Sequence, residues 1–218
     1  MIIKKPYTRR EEKANYLTHA LGVVVSIVAT VLLIQSALIT KNSWAVVAFS
    51  IFGFGMMVCM LSSTIYHYVQ EPTLKAKLRH FDHGSIYLLI ASSYSPFTLI
   101  LLRNKGLWGF GVFALVWIIA LVGIGLNFRK LKSNNHFKTA SYVFMGMLLL
   151  VATKPMIEVA KAENCLSALY WMGLSGVFYI IGSFIYALAK REFIHAVFHV
   201  FVLLGLLSSI IASSLIPL

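Results

Sequence analysis

Charged residues are scarce in this sequence: Asp, Glu, Lys and Arg make up only 12% of its 218 residues, whereas 59% are hydrophobic. The mean hydropathy is +0.83, and apolar runs of about 20 residues alternate with short polar stretches. This balance excludes an ordinary soluble domain. The sequence also lacks a charged, proline-rich or glycine-rich linker long enough to join two domains. Residues 1–218 are therefore predicted to form one polytopic membrane domain.

The sequence has only two cysteines and no obvious internal repeat. Cys59 falls within the second apolar run and Cys165 at the start of the sixth, so the predicted topology places most of the membrane between them. A disulfide is therefore not expected, and both are interpreted as buried apolar residues. The lack of a repeat gives no support to an inverted-repeat transporter. No amphipathic stripe of charges that could line a pore is present.

Seven apolar runs are long enough, or nearly so, to cross the roughly 30 Å hydrocarbon layer as helices. The predicted fold is all-α, with seven transmembrane helices. The first run is too long for the apolar part of a cleavable signal peptide, so we expect it to remain as helix 1. Lys154 and Pro155 interrupt the fifth run and predict a shorter helix that breaks or kinks there. The predicted helices cover approximately residues 16–39, 44–67, 81–102, 107–127, 139–160, 166–189 and 193–217.

Basic residues are unevenly distributed among the connections between these helices. Fourteen of the 19 Lys and Arg residues lie in the N-terminal tail and in the second, fourth and sixth connections. This asymmetry predicts a cytoplasmic N-terminus and a C-terminus outside. The topology and contact with anionic lipid explain the net charge of +12 without nucleic acid, so membrane lipid is the expected partner. The fourteen are Lys4, Lys5, Arg9, Arg10, Lys13, Lys75, Lys77, Arg79, Arg129, Lys130, Lys132, Lys138, Lys190 and Arg191.

Histidines gather at the predicted cytoplasmic ends of two helices. His195 and His199 lie one turn apart at the start of the last helix, and His67 ends the second helix one turn after Ser63. Neutral imidazole binds zinc well, and three protein ligands with an open position are typical of catalytic zinc. We therefore predict a zinc ion held by these three imidazoles and one water. Asp82 is predicted to orient that water as a base or to join the metal through it, with Ser63 adding a hydrogen bond.

Several of these residues also have simpler interpretations. Asp82 begins the predicted third helix and could be only its N-cap. His67 could be an interfacial residue that reaches for lipid headgroups. Glu192 is the main rival ligand, although its basic neighbours suggest a solvated turn. The other four histidines on the cytoplasmic side are interpreted mostly as interfacial: His19, His80, His83 and His136.

Three segments form ordered motifs: STIYH at residues 63–67, RHFDHGSIYLLIA at 79–91 continuing to SPF at 95–97, and HAVFH at 195–199. They resemble the signature motifs of the hemolysin III family, the bacterial branch of the progestin and adipoQ receptor superfamily. The likeness spans nearly the whole chain. It implies a seven-helix bundle in the bacterial cell membrane with the N-terminus inside. It also implies zinc bound by the three matching histidines, a matching aspartate engaged through water and a matching serine beside it: His67, His195, His199, Asp82 and Ser63.

The resemblance further implies lipid chemistry, because relatives in the receptor branch are associated with ceramide hydrolysis. The first hypothesis is a zinc-dependent intramembrane hydrolase. The metal lowers the pKa of bound water toward about 7, Asp82 takes a proton, and hydroxide attacks an amide or ester carbonyl of a lipid. One alternative, which follows the family name, is a pore-forming or membrane-lysing protein. Another is a membrane-state sensor in which zinc is structural.

Overall fold

The computed structural model describes residues 7–128, 135–187 and 191–218, with residues 135–137 described by their backbone only. Within these ranges the fold is helical and contains no strand. Seven helical segments are long and apolar enough to cross a membrane, which confirms the predicted all-α, seven-span architecture. Lys4, Lys5, Arg129, Lys130, Lys132, Lys190 and the imidazole of His136 lie outside the described residues. The elements are α1 (Arg9–Ile39), α2 (Ser43–Tyr68), α3 (Pro72–Ser93), a π-helical turn (Phe97–Leu101), α4 (Leu107–Phe128), α5 (Asn135–Met147), a 3₁₀ segment (Leu148–Ala152), α6 (Thr153–Ala162), α7 (Leu166–Ala187) and α8 (Ile194–Ser214).

The first helix begins at Arg9, about two turns before its predicted start at Tyr16. A capping box explains the earlier start. The Thr8 hydroxyl accepts a hydrogen bond from the backbone N–H of Glu11 at 3.3 Å, and the Glu11 carboxylate accepts one from the backbone N–H of Thr8 at 2.8 Å. These bonds satisfy backbone N–H groups that have no partner within the helix at its start. The helix can therefore include the charged residues of the first turn. As a result, Glu12 lies within α1 and on its buried face.

The third helix also begins earlier than predicted, at Pro72 and not at Phe81. Glu71 is its N-cap, and the Glu71 carboxylate accepts a hydrogen bond from the backbone N–H of Thr73 at 2.8 Å. Proline suits the first turn because it has no N–H to satisfy there. Asp82 therefore lies about three turns into α3. Its interpretation as an N-cap is wrong.

The fifth predicted helix is divided into α5, the 3₁₀ segment and α6. The change in helix type precedes Lys154 and Pro155, where the break was predicted. The Tyr94 side chain takes up backbone hydrogen-bonding groups at this point. Its hydroxyl donates to the Met145 carbonyl at 2.7 Å and accepts from the Leu149 N–H at 2.9 Å. Pro155 contributes from the other side by removing one helical donor. Tyr94 lies at the end of α3, so its effect on the fifth helix could not be predicted from the sequence of the fifth run alone.

Helices α1, α2 and α8 form a three-helix unit around one apolar cluster. Phe49, Phe52, Met56 and Met60 of α2 and Leu206 of α8 are essentially inaccessible there. A second cluster contains residues of α3, the π-helical turn, α4, α5, α6, α7 and α8. Since α2 ends and both α1 and α8 begin at the same end of the three-helix unit, this packing sets the relative positions of the side chains at that end. We call it the histidine end.

Candidate metal centre

Three imidazoles meet at the histidine end. His67 lies in the last turn of α2, and His195 and His199 lie in the first two turns of α8. One nitrogen of each residue lies within 4.8 Å of a nitrogen of the other two. His67 is fully buried, His199 is 2% exposed, and His195 is partly buried. The structure thus brings the three predicted histidines into a group that could hold a metal ion.

The start of α8 is positioned by the first turn of α1. Phe193, the N-cap of α8, has a left-handed backbone conformation with φ of 62°, and its side chain makes no capping hydrogen bond. Its backbone N–H instead donates to the Glu11 carboxylate at 3.1 Å. A carboxylate is favourable at a helix N-terminus, where it complements the helix dipole. Glu11 therefore caps α1 and also fixes the turn that leads to His195.

Side chains and backbone of α1 orient two of the three imidazoles. The Nδ1 atom of His67 lies 2.7 Å from the Glu12 carboxylate, and the Nδ1 atom of His199 lies 3.3 Å from the Asn15 carbonyl oxygen. Both oxygens are acceptors, which assigns the proton to Nδ1 and leaves each Nε2 available as a metal ligand. The Nε2 atom of His67 lies 3.3 Å from the Nε2 atom of His195. Imidazoles held by such outer hydrogen bonds fit a divalent transition metal ion.

Ser63 and Asp82 lie beside the three histidines. The Asp82 carboxylate on α3 interacts electrostatically with His67 and with the Ser63 hydroxyl on α2. Ser63 is 3% exposed, so its hydroxyl is held inside the bundle. The group that could hold a metal comprises the three histidines and not Asp82. Asp82 is therefore near His67 but outside the group that could hold a metal.

A fourth histidine, His19, packs directly against this group. Its ring centroid lies 3.9 Å from that of His199 in an edge-to-face arrangement, and the residue is only 4% exposed. Its interpretation as an interfacial residue is therefore wrong. Among the described residues, neither ring nitrogen of His19 has a hydrogen-bond partner. By contrast, His80 and Glu192 are exposed, as expected for an interfacial residue and a solvated turn.

Sequence reasoning missed the polar face of α1. Glu12, Asn15 and His19 are all buried on one side of the helix, with the spacing i, i+3 and i+7 that places side chains on one face. The same face continues into the apolar part of the helix through Gly22 and Ser26. That spacing was the available signal. Hydropathy alone does not reveal this face, because the first two turns of α1 are polar.

Aromatic rings cover His195. Tyr7 stacks on its imidazole with 5.0 Å between ring centroids and 25° between the planes, and Tyr186 contacts it at 5.6 Å. Burial raises the pKa of Tyr7, so its phenol stays neutral at physiological pH. His195 therefore sits between two tyrosines, which limit its freedom to rotate away from His67.

The sequence is similar to known proteins over most of its length. A sequence model described as Haemolysin-III related matches residues 7–210. The chain belongs to this family. It is 39% identical over 199 residues to the hemolysin-3 homolog of Bacillus subtilis (strain 168), covering 91% of each chain. It is 36% identical over 196 residues to hemolysin-3 of Bacillus cereus, covering 90% of this chain and 87% of the relative.

The similarity extends beyond bacteria. This hemolysin III protein is 25% identical over 240 residues to heptahelical transmembrane protein 1 of Arabidopsis thaliana, covering 96% of this chain and 70% of the relative. Family membership agrees with the seven spans of the structure. The protein is therefore a multi-pass protein of the bacterial cell membrane.

Proposed function

We propose that this hemolysin III protein is a zinc-dependent intramembrane hydrolase that acts on an amide or ester bond of a membrane lipid. The observation that carries the proposal is the juxtaposition of three clustered imidazoles with the Asp82 carboxylate, which interacts with His67 and Ser63. Buried ionisable side chains within membrane-spanning helices are costly and are usually retained for function. Here they combine a metal-binding group with a neighbouring carboxylate.

His67, His195 and His199 are the residues that would hold the zinc ion. Three imidazoles leave a fourth coordination position open, which distinguishes catalytic from structural zinc sites. Zinc in such a site supplies Lewis acidity and makes water nucleophilic near neutral pH. The hydrogen bonds from Nδ1 of His67 to Glu12 and from Nδ1 of His199 to the Asn15 carbonyl keep the ligating nitrogens turned inward.

In this proposal Asp82 accepts a proton from the attacking water at its carboxylate and passes it to the leaving group. The Ser63 hydroxyl interacts with that carboxylate and helps to hold it in place. The substrate comes from the membrane, since apolar side chains near the histidine end face outward. Ile65 and Val197 are each 40% exposed, and Phe81 is 56% exposed. Such a surface suits acyl chains better than a water-soluble substrate.

The test combines metal analysis with lipid hydrolysis by the purified full-length protein. Inductively coupled plasma mass spectrometry is expected to find one zinc ion per chain, which His67→Ala removes. Fatty acid release from a bacterial lipid extract, followed by mass spectrometry, is expected to fall about 100- to 10,000-fold in Asp82→Asn. The exposed carboxylate variant Glu192→Gln is the control and retains both zinc and release. Fatty acid release that persists at the wild-type rate in Asp82→Asn would contradict the proposal.

Membrane lysis is the second candidate, because the curated relatives from Bacillus carry the name hemolysin-3. Leakage of a fluorescent dye from liposomes measures it directly. Leakage that is unchanged in the histidine and Asp82 variants would favour lysis over hydrolysis. A structural zinc site has a third signature. In that case the histidine variants unfold, while Asp82→Ala preserves both the fold and the cellular phenotype.

A further inference from the structure

Glu12 occupies an unusual position for a carboxylate in a membrane protein. It is only 5% exposed, and its two oxygens contact two different helices. Oε2 lies 2.7 Å from Nδ1 of His67 on α2, and Oε1 lies 3.0 Å from Nζ of Lys75 on α3. A buried carboxylate is tolerated when it is paired and hydrogen-bonded. Glu12 meets both conditions, with one oxygen for each partner.

The contact with His67 determines which nitrogen of the ring can bind a metal. An ionised carboxylate only accepts hydrogen bonds, so the proton of His67 resides on Nδ1 and the lone pair on Nε2. The Asn15 amide nitrogen also approaches Nδ1, but at 3.4 Å it is the longer and weaker contact. Nε2 of His67 in turn faces His195 at 3.3 Å. Glu12 thus points the lone pair of His67 toward the other histidines.

Lys75 connects this carboxylate to the same turn of α2. Its ammonium group donates to the backbone carbonyls of Tyr66 and Val69, both at 2.9 Å. These carbonyls flank His67 at the C-terminal end of the helix, where cations are favourable. Lys75 therefore compensates the charge of Glu12 and fixes its distance from His67.

We propose that Glu12 is a positioning residue of the metal centre and that Lys75 acts through it: the pair aligns His67 and strengthens metal binding without itself contacting the metal. The inference rests on the metal binding that the proposed function requires, but not on hydrolysis. Carboxylates that accept a hydrogen bond from a ligating histidine fix its tautomer and increase its donor strength. A simple salt bridge between α1 and α3 would have no such effect on the metal.

The experiment measures zinc affinity of the full-length protein in detergent by competition with a chromophoric chelator. Glu12→Gln keeps the size and one acceptor oxygen but removes the charge, and it is expected to weaken zinc binding about 10- to 100-fold. Lys75→Met is expected to weaken binding less. The double variant is expected to match Glu12→Gln alone, because Lys75 acts through Glu12. Glu192→Gln and Lys77→Met remove exposed charges of the same end and serve as matched controls.

A second readout separates positioning from stability. Thermal unfolding of the metal-free Glu12→Gln protein measures the stability lost with the buried ion pair, whereas the visible spectrum of the Co²⁺-substituted protein is expected to shift because His67 is reoriented. Zinc affinity equal to wild type in a folded Glu12→Gln protein would overturn the inference. If that variant does not fold, Lys75→Met carries the test, and wild-type affinity there has the same meaning.

The outcomes also distinguish this inference from the proposed function. Wild-type protein that binds no zinc overturns both. Wild-type protein that binds zinc but releases no fatty acid overturns only the hydrolase. Zinc binding and hydrolysis that are both insensitive to Glu12→Gln overturn only the role assigned to Glu12.

Discussion

The two halves of α1 use polar side chains in opposite ways. In the half at the histidine end, Glu12 contacts His67 on α2 and the Asn15 carbonyl contacts His199 on α8. In the other half, buried hydroxyls bond to carbonyls of their own helix one turn earlier, Ser26 to Gly22 at 2.7 Å and Thr30 to Ser26 at 2.6 Å. The first half therefore contributes to a site between helices, whereas the hydroxyls of the second half are hydrogen-bonded within α1 itself.

This difference separates the source of stability from the source of function. A hydroxyl that is satisfied within its helix leaves the surrounding space to apolar packing, as around Phe52 and Leu33. A carboxylate or imidazole that reaches another helix depends on the exact position of that helix. Substitutions in the apolar half should therefore alter stability and leave metal binding unchanged, whereas those at the histidine end should chiefly weaken metal binding.

The largest expected effect on stability is that of Phe52→Ala. Phe52 is completely buried in the cluster of the three-helix unit, so its truncation leaves a cavity and costs about 3–5 kcal/mol. Zinc stoichiometry should remain that of the wild type. Thermal unfolding can be followed with a thiol-reactive fluorophore, because Cys59 and Cys165 are free and buried and become reactive only as the protein unfolds.

Phe54→Ala provides the matched control for this substitution. Phe54 is on the same helix but is 56% exposed, toward the lipid. Its truncation creates no internal cavity and should shift the unfolding midpoint far less. Loss of zinc from a folded Phe52→Ala protein would show that the apolar half also shapes the site, and the proposed separation would not hold.

A smaller effect that joins the two roles is expected for Glu11→Ala. The Glu11 carboxylate completes the capping box of α1 and accepts a hydrogen bond from the backbone N–H of Phe193 at the start of α8. Loss of such a cap costs about 1 kcal/mol. Because α8 carries two of the three histidines, zinc affinity should also fall, though less than in Glu12→Gln.

The exposed neighbour Arg10 supplies the control for Glu11, and Arg10→Ala should change neither unfolding nor zinc affinity. The two properties are measured on the same preparations by thiol labelling and chelator competition. A Glu11→Ala protein that loses stability but keeps full zinc affinity would show that the start of α8 is fixed by its packing and not by this carboxylate.

Much of the architecture could be predicted from the sequence, because membrane helices are apolar throughout and need little tertiary information. The errors lie at the starts of helices, in polar turns to which that rule does not apply. α1 and α3 both extend beyond their apolar runs through capped polar turns, which hydropathy does not detect. The signals were present as a capping box at Thr8 and Glu11 and as a proline after Glu71, both of which mark helix starts.

The grouping of the three histidines was predictable for a related reason. His195 and His199 stand one turn apart on an apolar helix, and such a pair has few ways to be satisfied other than by a metal or a polar cavity. Glu12 was not predicted, because an acidic residue near an N-terminus has many ordinary roles. Its burial depends on the packing of α2 against α1 and on the contact with Lys75 of α3, which no local pattern contains.

The smallest effect is expected for His19→Leu. This variant tests whether residues next to the three histidines, other than Glu12, also support metal binding. His19 packs its ring edge-to-face against His199 but does not belong to the group of three mutually close histidines. In the described part of the chain its nitrogens make no hydrogen bonds, so replacing them with apolar atoms removes a desolvated polar group and should not reduce stability. Zinc affinity should change by less than about threefold, since no hydrogen bond to a ligand is lost.

His199→Leu is the comparison for that variant, because it substitutes the adjacent imidazole that does belong to the group. It should abolish zinc binding, which chelator competition measures alongside His19→Leu. A tenfold or greater loss in His19→Leu would place His19 with Glu12 among the residues that hold the metal centre. The polar half of α1 would then act on the site through His19 as well as through Glu12 and Asn15, and the boundary between the two halves would move about one turn further along α1.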